Sequence, residues 1–180
     1  MAVLVSSCAT HRDARPTRDS ARRAPRGLYH ANSRLDKVTL RFFTVCGPRQ
    51  RTDMALDKFI RAMLEDPDIV VHGHGRQTRD FTCVDDIVDE VMLAQAAAAG
   101  TIMNIGGGNR VSLSEAIATI GDAMGDKPRL QLRSVEAGDV RDTWADVSRA
   151  TDSIGFRPTT KLAAGMAQEY AWMTGRSSMV

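Results

Sequence analysis

Past residue 37, apolar runs of strand length alternate with stretches of helical period. That alternation constrains the fold more than any other feature of the 180 residues. Residues 38–45 form a β-branched and aromatic run closed by Gly47-Pro48, the pattern of a buried strand. Residues 54–64 place apolar side chains at helical spacing, and Pro67 follows. Residues 69–71 read as a short strand ending at Gly73. Residues 85–98 read as a helix with acids in its first turn. Residues 101–105 form a strand that runs into Gly106-Gly107-Gly108. Ser112 and Glu115 stand three apart before the next helix, a capping box, and that helix ends near Gly125. Residues 130–132 predict another strand, and 146–154 and 162–172 two shorter helices. Strands and helices in alternation imply an α/β fold with parallel pairing.

Residues before Lys37 have a different character. Between 11 and 34 lie Arg12, Arg15, Arg18, Arg22, Arg23, Arg26 and Arg34, interrupted by Pro16 and Pro25. Few large apolar residues accompany them, so burial cannot offset the entropy of ordering the segment. The reading is a largely loop-like or disordered 1–37 ahead of a folded 38–175. Nucleic-acid contact through this arm is an alternative. Asp13 and Asp19 dilute its charge, the net charge is only +2 and aromatics make up 5%. A solvated loop is therefore preferred, and nucleic acid is not the expected partner.

Cys8, Cys46 and Cys83 are odd in number and far apart in sequence. They make no disulfide framework or CxxC pair, which fits a reducing compartment and predicts a cytoplasmic protein. No apolar run is long enough to span a bilayer, so no membrane partner is expected. Val5-Ser6-Ser7-Cys8 faintly resembles a lipoprotein cleavage box, but the charged n-region and long apolar core of a signal peptide are missing.

Several groups could carry chemistry. Gly106-Gly107-Gly108 lies between a strand and a helix, where a phosphate loop belongs. Its spacing is not that of a dinucleotide fingerprint, and Asp126 falls before the next strand rather than at its end. A structural tight turn is preferred. Arg49, Arg51, Arg76, Arg79 and Arg141 follow strand ends, which face the ligand crevice in α/β sheets. Their guanidinium forks would suit a diphosphate, with ordinary surface arginines as the alternative. His72 and His74 have no further ligand at metal spacing and read as loop residues. Asp85 and Asp86 read as acids complementing a helix dipole. Trp144 and Trp172 read as core anchors.

Taken in order, these segments resemble the C-terminal part of extended short-chain dehydrogenase/reductases. More narrowly, they are similar to NAD-dependent epimerases/dehydratases of nucleotide-sugars. The residues that carry the resemblance are Leu40-Arg41-Phe42-Phe43-Thr44-Val45-Cys46-Gly47-Pro48-Arg49-Gln50-Arg51 with Asp53-Met54-Ala55, then Arg79-Asp80-Phe81-Thr82-Cys83-Val84-Asp85-Asp86. Asn104-Ile105-Gly106-Gly107-Gly108, Gly138-Asp139-Val140-Arg141 and Trp144-Ala145-Asp146 complete the set. The Phe-Phe-Thr and Asp-Met-Ala pieces look most like UDP-glucuronate 4-epimerases.

The resemblance implies a fold and a set of roles. The fold is a truncated Rossmann-type parallel sheet joined to the smaller α/β substrate-binding subdomain of this family. Phe42 and Val45 would lie against the nicotinamide of NAD, and Thr44 would face the sugar. Met54 and Ala55 would line the nucleotide-sugar pocket. Val71 and His72 would border the uracil, where the family usually has an aromatic residue at the His72 position. Arg79 would hold the diphosphate and Asp139 the ribose, with Arg141 a neighbour. In the front segment, Ser6-Ser7-Cys8-Ala9-Thr10 matches the family's serine-rich strand end, with Cys8 in the place of the catalytic hydroxyl. Tyr29 would be the tyrosine of Tyr-x-x-x-Lys, but Ser33 stands where the lysine belongs. The glycine-rich loop and the first strands of the family have no counterpart.

These matches imply a UDP-sugar 4-epimerase-like enzyme working by transient C4 oxidation, weakly active or inactive in this form. The alternative is a non-catalytic module that binds a nucleotide-sugar. A sheet built from the later strands alone would also expose an edge, and this predicts homo-oligomers or aggregation.

Overall fold

The computed structural model describes residues 2–7, 36–65, 68–108, 110–135 and 141–175. Within them, the apolar runs become eight strands and five α-helices. The strands are β1 (Ala2–Ser7), β2 (Lys37–Phe42), β3 (Thr44–Cys46), β4 (Asp68–His72), β5 (Thr78–Cys83), β6 (Ile102–Ile105), β7 (Arg110–Ser112) and β8 (Arg129–Arg133). The helices are α1 (Ala55–Glu65), α2 (Val84–Leu93), α3 (Leu113–Met124), α4 (Ser148–Ile154) and α5 (Leu162–Met173). A short 3₁₀ turn, Ala94–Ala96, extends α2. No described helix is long and apolar enough to cross a membrane.

One sheet has the order β1-β2-β6 and is parallel throughout. Val38 and Leu40 point from β2 into a core with Met103 and Ile105 of β6, Ile87 of α2, Ala150 of α4 and Phe156. Each large apolar side chain fully buried there contributes about 1.5–3 kcal/mol. The second unit holds the sheet β3-β5-β7 and the parallel pair β4-β8. Its core joins Leu56, Phe59, Ile60 and Met63 of α1 to Ile69 and Val71 of β4, Phe81 and Cys83 of β5, and Ile117 and Ile120 of α3. The result is an α/β fold with a Rossmann-type parallel sheet and a smaller α/β unit. The β5–β7 pair is antiparallel, an exception to the parallel pairing expected from the strand–helix alternation.

Several sequence expectations need correcting. The run 38–45 is two strands rather than one. β2 pairs with β1 and β6, whereas β3 pairs with β5, so the chain changes sheets at Phe43, whose N–H donates to the Ile105 carbonyl at 3.2 Å. Asp86 is more than a helix-dipole acid. It is buried, and its carboxylate accepts from the backbone and hydroxyl groups of both Thr159 and Thr160, tying α2 to that segment. Trp172 is 37% exposed and anchors no core, while Trp144 is half-buried. Ahead of Lys37, Ala2–Ser7 forms a full-length partner for β2, so this part of the front segment is strand.

Candidate active site

The loop between β3 and α1 is the centre of the candidate site, and local chemistry fixes its path. Gly47 has φ +122°, a region that favours glycine, and a β-carbon there would stand 2.9 Å from Val84 Cγ1. Gln50 braces the loop from inside. Its amide Nε2 donates to the Val45 carbonyl at 2.5 Å, and its Oε1 accepts from the Asp57 N–H in the first turn of α1. Gly47 N–H in turn donates to the Glu169 carboxylate of α5 at 3.2 Å. Arg51 and Asp53 form an exposed ion pair at the loop's tip.

This loop borders two cavities. The larger, about 580 Å³, lies between the loop, α1, β4 and the first half of β5. Thr44, Met54, Ala55, Val71, His72 and Arg79 all line it. The smaller, about 270 Å³, has Phe42, Phe43, Val45, Pro48 and Val84 on its walls, with Arg49 and Arg51 at its rim. Gln50 and Met54 line both cavities. Six residues scattered from 44 to 79 thus meet at one opening, and the two nearest the strand ends, Phe42 and Val45, meet at its neighbour.

Arg79 is the arginine positioned on the larger cavity. Its Nη1 donates to the Thr78 carbonyl at 3.0 Å and to the Arg141 carbonyl at 3.4 Å. Arg141 reaches the site only through its backbone: its carbonyl also accepts from Thr78 N–H, and its side chain is 91% exposed. The segment is held there by Asp142, which accepts from Thr78 Oγ1 at 2.6 Å and pairs with Arg110 at 3.2 Å. These contacts keep the Asp142 carboxyl below its ordinary range, the Thr78 hydroxyl first among them. Arg76 is exposed and lines neither cavity. Cys8, Tyr29 and Asp139 lie outside the described residues.

Gly106-Gly107-Gly108 is not shaped to receive a phosphate. Asp80 takes up donors of the turn: its carboxylate accepts from Gly107 N–H at 2.7 Å and from Gly108 N–H, and also from Ala145 N–H at 3.0 Å. A β-carbon on Gly107 would fall 1.9 Å from the Phe81 carbonyl oxygen, so glycine is required for packing against β5. Burial raises the Asp80 carboxyl, and the backbone donors from Ala145, Gly107 and Gly108 oppose that rise. The tight-turn reading of this run therefore has a concrete basis: an internal carboxylate occupies the position an anion would take.

Sequence reasoning missed two groups beside the site. Glu169 of α5 is fully buried, and desolvation, opposed by the Gly47 N–H, pushes its carboxyl up to about 7. Cys46 and Cys83 face each other across β3 and β5, with their sulfurs 3.7 Å apart. A glutamate in a helical stretch and two distant cysteines carry no signal of such placement; only the register of β3 on β5 brings the thiols together.

The fold, a Rossmann-type parallel sheet joined to a smaller α/β unit, places both cavities beside the loop that follows β3. Residues 28–106 match the model of the NAD dependent epimerase/dehydratase family. The chain is 36% identical over 149 residues to an uncharacterized UDP-glucose epimerase, YtcB, of Bacillus subtilis, a match spanning 82% of this chain and 47% of that protein. It is 33% identical over 145 residues to the UDP-glucuronate 4-epimerase of Thermodesulfobacterium geofontis, spanning 80% of this chain and 45% of the relative. Among solved structures, the UDP-glucuronic acid 4-epimerase of Bacillus cereus, in complex with UDP-glucuronic acid and NAD, superposes with a TM-score of 0.86 at 30% identity. That superposition covers 97% of this chain and 62% of the other. The chain spans about half the length of the curated relatives it matches.

The smaller cavity has apolar walls, Phe42, Phe43, Val45, Pro48 and Val84, against which a flat ring could pack. The described residues include no G-x-G-x-x-G turn for the pyrophosphate, and the donors of the Gly106–Gly108 turn face Asp80 instead.

Proposed function

We propose that this chain forms the nucleotide-sugar-binding part of a UDP-sugar 4-epimerase-like enzyme, with a UDP-hexuronate such as UDP-glucuronate as substrate class. The observation that carries this reading is the convergence of Thr44, Met54, Ala55, Val71, His72 and Arg79 on one cavity that shares Gln50 and Met54 with the Phe42/Val45 cavity. A sugar reaching from the first cavity toward the second would bring its C4 beside the ring held on Phe42 and Val45. NAD supplies the hydride acceptor for transient C4 oxidation when it is bound. The chain's own residues bind and orient. The Arg79 guanidinium is the group for the diphosphate, as its planar fork matches phosphate oxygens. Thr44 presents a hydroxyl to the sugar. Val71 and His72 border the base, and Asp139 would hold the ribose. Tyr29 is the candidate acid/base at the sugar hydroxyl, and Cys8 stands in the sequence where the resemblance expects a catalytic hydroxyl.

Binding is tested by calorimetry with UDP-glucuronate and UDP. Arg79→Ala should raise Kd about tenfold to a hundredfold, in keeping with about 1.5–3 kcal/mol for hydrogen bonds to a charged group. Arg76→Ala, outside both cavities, should leave Kd unchanged. No heat of binding to the unaltered chain would overturn the reading.

A second reading, a non-catalytic nucleotide-sugar-binding module, is favoured by the sequence at the catalytic positions. Cys8 replaces the expected hydroxyl and Ser33 the expected lysine. Loss of a positioned acid/base group costs about 10²- to 10⁴-fold in rate. Turnover of UDP-glucuronate with added NAD separates the two readings, since the binding module would bind without converting its ligand.

A further inference from the structure

We propose that Cys46 and Cys83 are a dithiol modification site, oxidised by a peroxide to an intramolecular disulfide that staples β3 to β5. The two residues are register partners on adjacent parallel strands. Neighbouring strands run about 4.7–4.9 Å apart, within the roughly 4.4–6.8 Å between α-carbons that a disulfide accepts. Their side chains leave the sheet on the same side, and the sulfurs already stand 3.7 Å apart with no atom between them. Both cysteines are free.

The surroundings leave room for the sulfurs to close. Opposite them on α5 is Gly165, where a β-carbon would lie 2.4 Å from Cys83 Sγ and 3.6 Å from Cys46 Sγ. The pair's other polar neighbours are distant: the Thr82 carbonyl is 3.5 Å from Cys46 Sγ, and the Thr160 and Lys161 carbonyls are 3.8 Å from Cys83 Sγ. Although both residues are buried, Cys46 lines the smaller cavity, which offers a path for a small oxidant. Cys83 occupies the N-cap of α2 with no side-chain cap bond. The Cys46 S–H bond lowers the Cys83 thiol, against burial and the nearby Asp86 and Asp85 carboxylates.

The chemistry balances without any further reactant. One thiolate attacks the peroxide oxygen, forming a sulfenic acid and releasing one water. The second thiol attacks that sulfur, the S–S bond forms, and the hydroxyl leaves with a proton as a second water. The two sulfurs together lose two electrons and two protons, and the peroxide is reduced to two waters.

The test uses the full chain with hydrogen peroxide as probe and involves no sugar ligand, so its outcome is independent of the nucleotide-sugar reading. After oxidation, remaining thiols are alkylated and the chain is digested with trypsin. The expected product is peptide 42–49 joined to peptide 80–110, lighter by two hydrogens than the separate peptides and separated again by a thiol reductant. Cys8→Ser should keep the link, while Cys46→Ser and Cys83→Ser should each abolish it. The oxidised chain should also unfold at a higher denaturant concentration than the reduced one, because the bond closes a 37-residue separation in the unfolded chain. Free thiols at 46 and 83 after complete reaction of Cys8 would overturn the proposal, as would a link that runs through Cys8 or oxidation that stops at sulfinic acid.

Discussion

Glu90 and Glu169 lie fully buried in helices that cover the two cores, and neither has the partners a carboxylate needs. Both Glu90 oxygens lack a hydrogen-bond partner among the described residues, and Glu169 has one for a single oxygen. Desolvation pushes each carboxyl up to about 7. Below about pH 4.5 both folded and unfolded chains carry the proton, and the groups do not affect stability. Between that value and about 7 the folded chain holds more protons than the unfolded one, so stability falls as pH rises, and the penalty is complete above 7. For Glu90 it is on the order of 2–3 kcal/mol. Glu90→Gln should therefore gain little over the unaltered chain at pH 5 and gain most at pH 8 in urea unfolding; parallel pH curves for the two proteins would count against it. Such groups are hard to read from sequence, because a glutamate in an amphipathic pattern looks like a surface residue. The sequence reads Arg79 as following the strand at 69–71; it lies instead at the start of β5, on the wall of the larger cavity.

At the scale of elements, what could be read was whatever carries its own local signature. The Ser112/Glu115 capping box exists as written: Ser112 Oγ accepts from Glu115 N–H at 3.2 Å, and the glutamate accepts from Ser112 N–H at 2.8 Å. The helix then closes at Gly125 with φ +73°. The strand β5 was missed because Thr-Arg-Asp-Phe-Thr-Cys has no apolar run; its interior Asp80 is buried as a carboxylate that serves backbone donors. The switch of sheets at Phe43 was invisible, since periodicity within 38–45 does not say which neighbour each half will pair with. These two kinds of feature differ in energetic weight. Ser112→Ala removes a cap that faces water and should cost about 1 kcal/mol. Gly107→Ala drives a β-carbon into the Phe81 carbonyl and should cost about 3 kcal/mol, near the upper end for overpacking. Urea midpoints of the two variants rank the effects, and equal losses would show that the turn at Gly107 yields more easily than its geometry implies.

For the whole molecule, the two parallel assemblies treat their outer strands differently. β8 is exposed along its whole length, but Arg129, Gln131 and Arg133 alternate with Leu130 and Leu132. Charges at that spacing oppose pairing with another chain. β1 has the sequence Ala-Val-Leu-Val-Ser-Ser, with no charge and no proline, and it pairs only with β2 among the described strands. An apolar strand with a free row of N–H and C=O groups is a template for a further strand. The sequence predicts an exposed edge because a sheet built from the later strands alone would have one. The structure adds its location, at the far side of β1 from the core of Val38 and Leu40. The expected outcome is self-association through β1: light scattering coupled to size exclusion should show a mass that rises with loading concentration. A constant 19.6 kDa species over a hundredfold range of concentration would mean that this edge is covered within the chain itself.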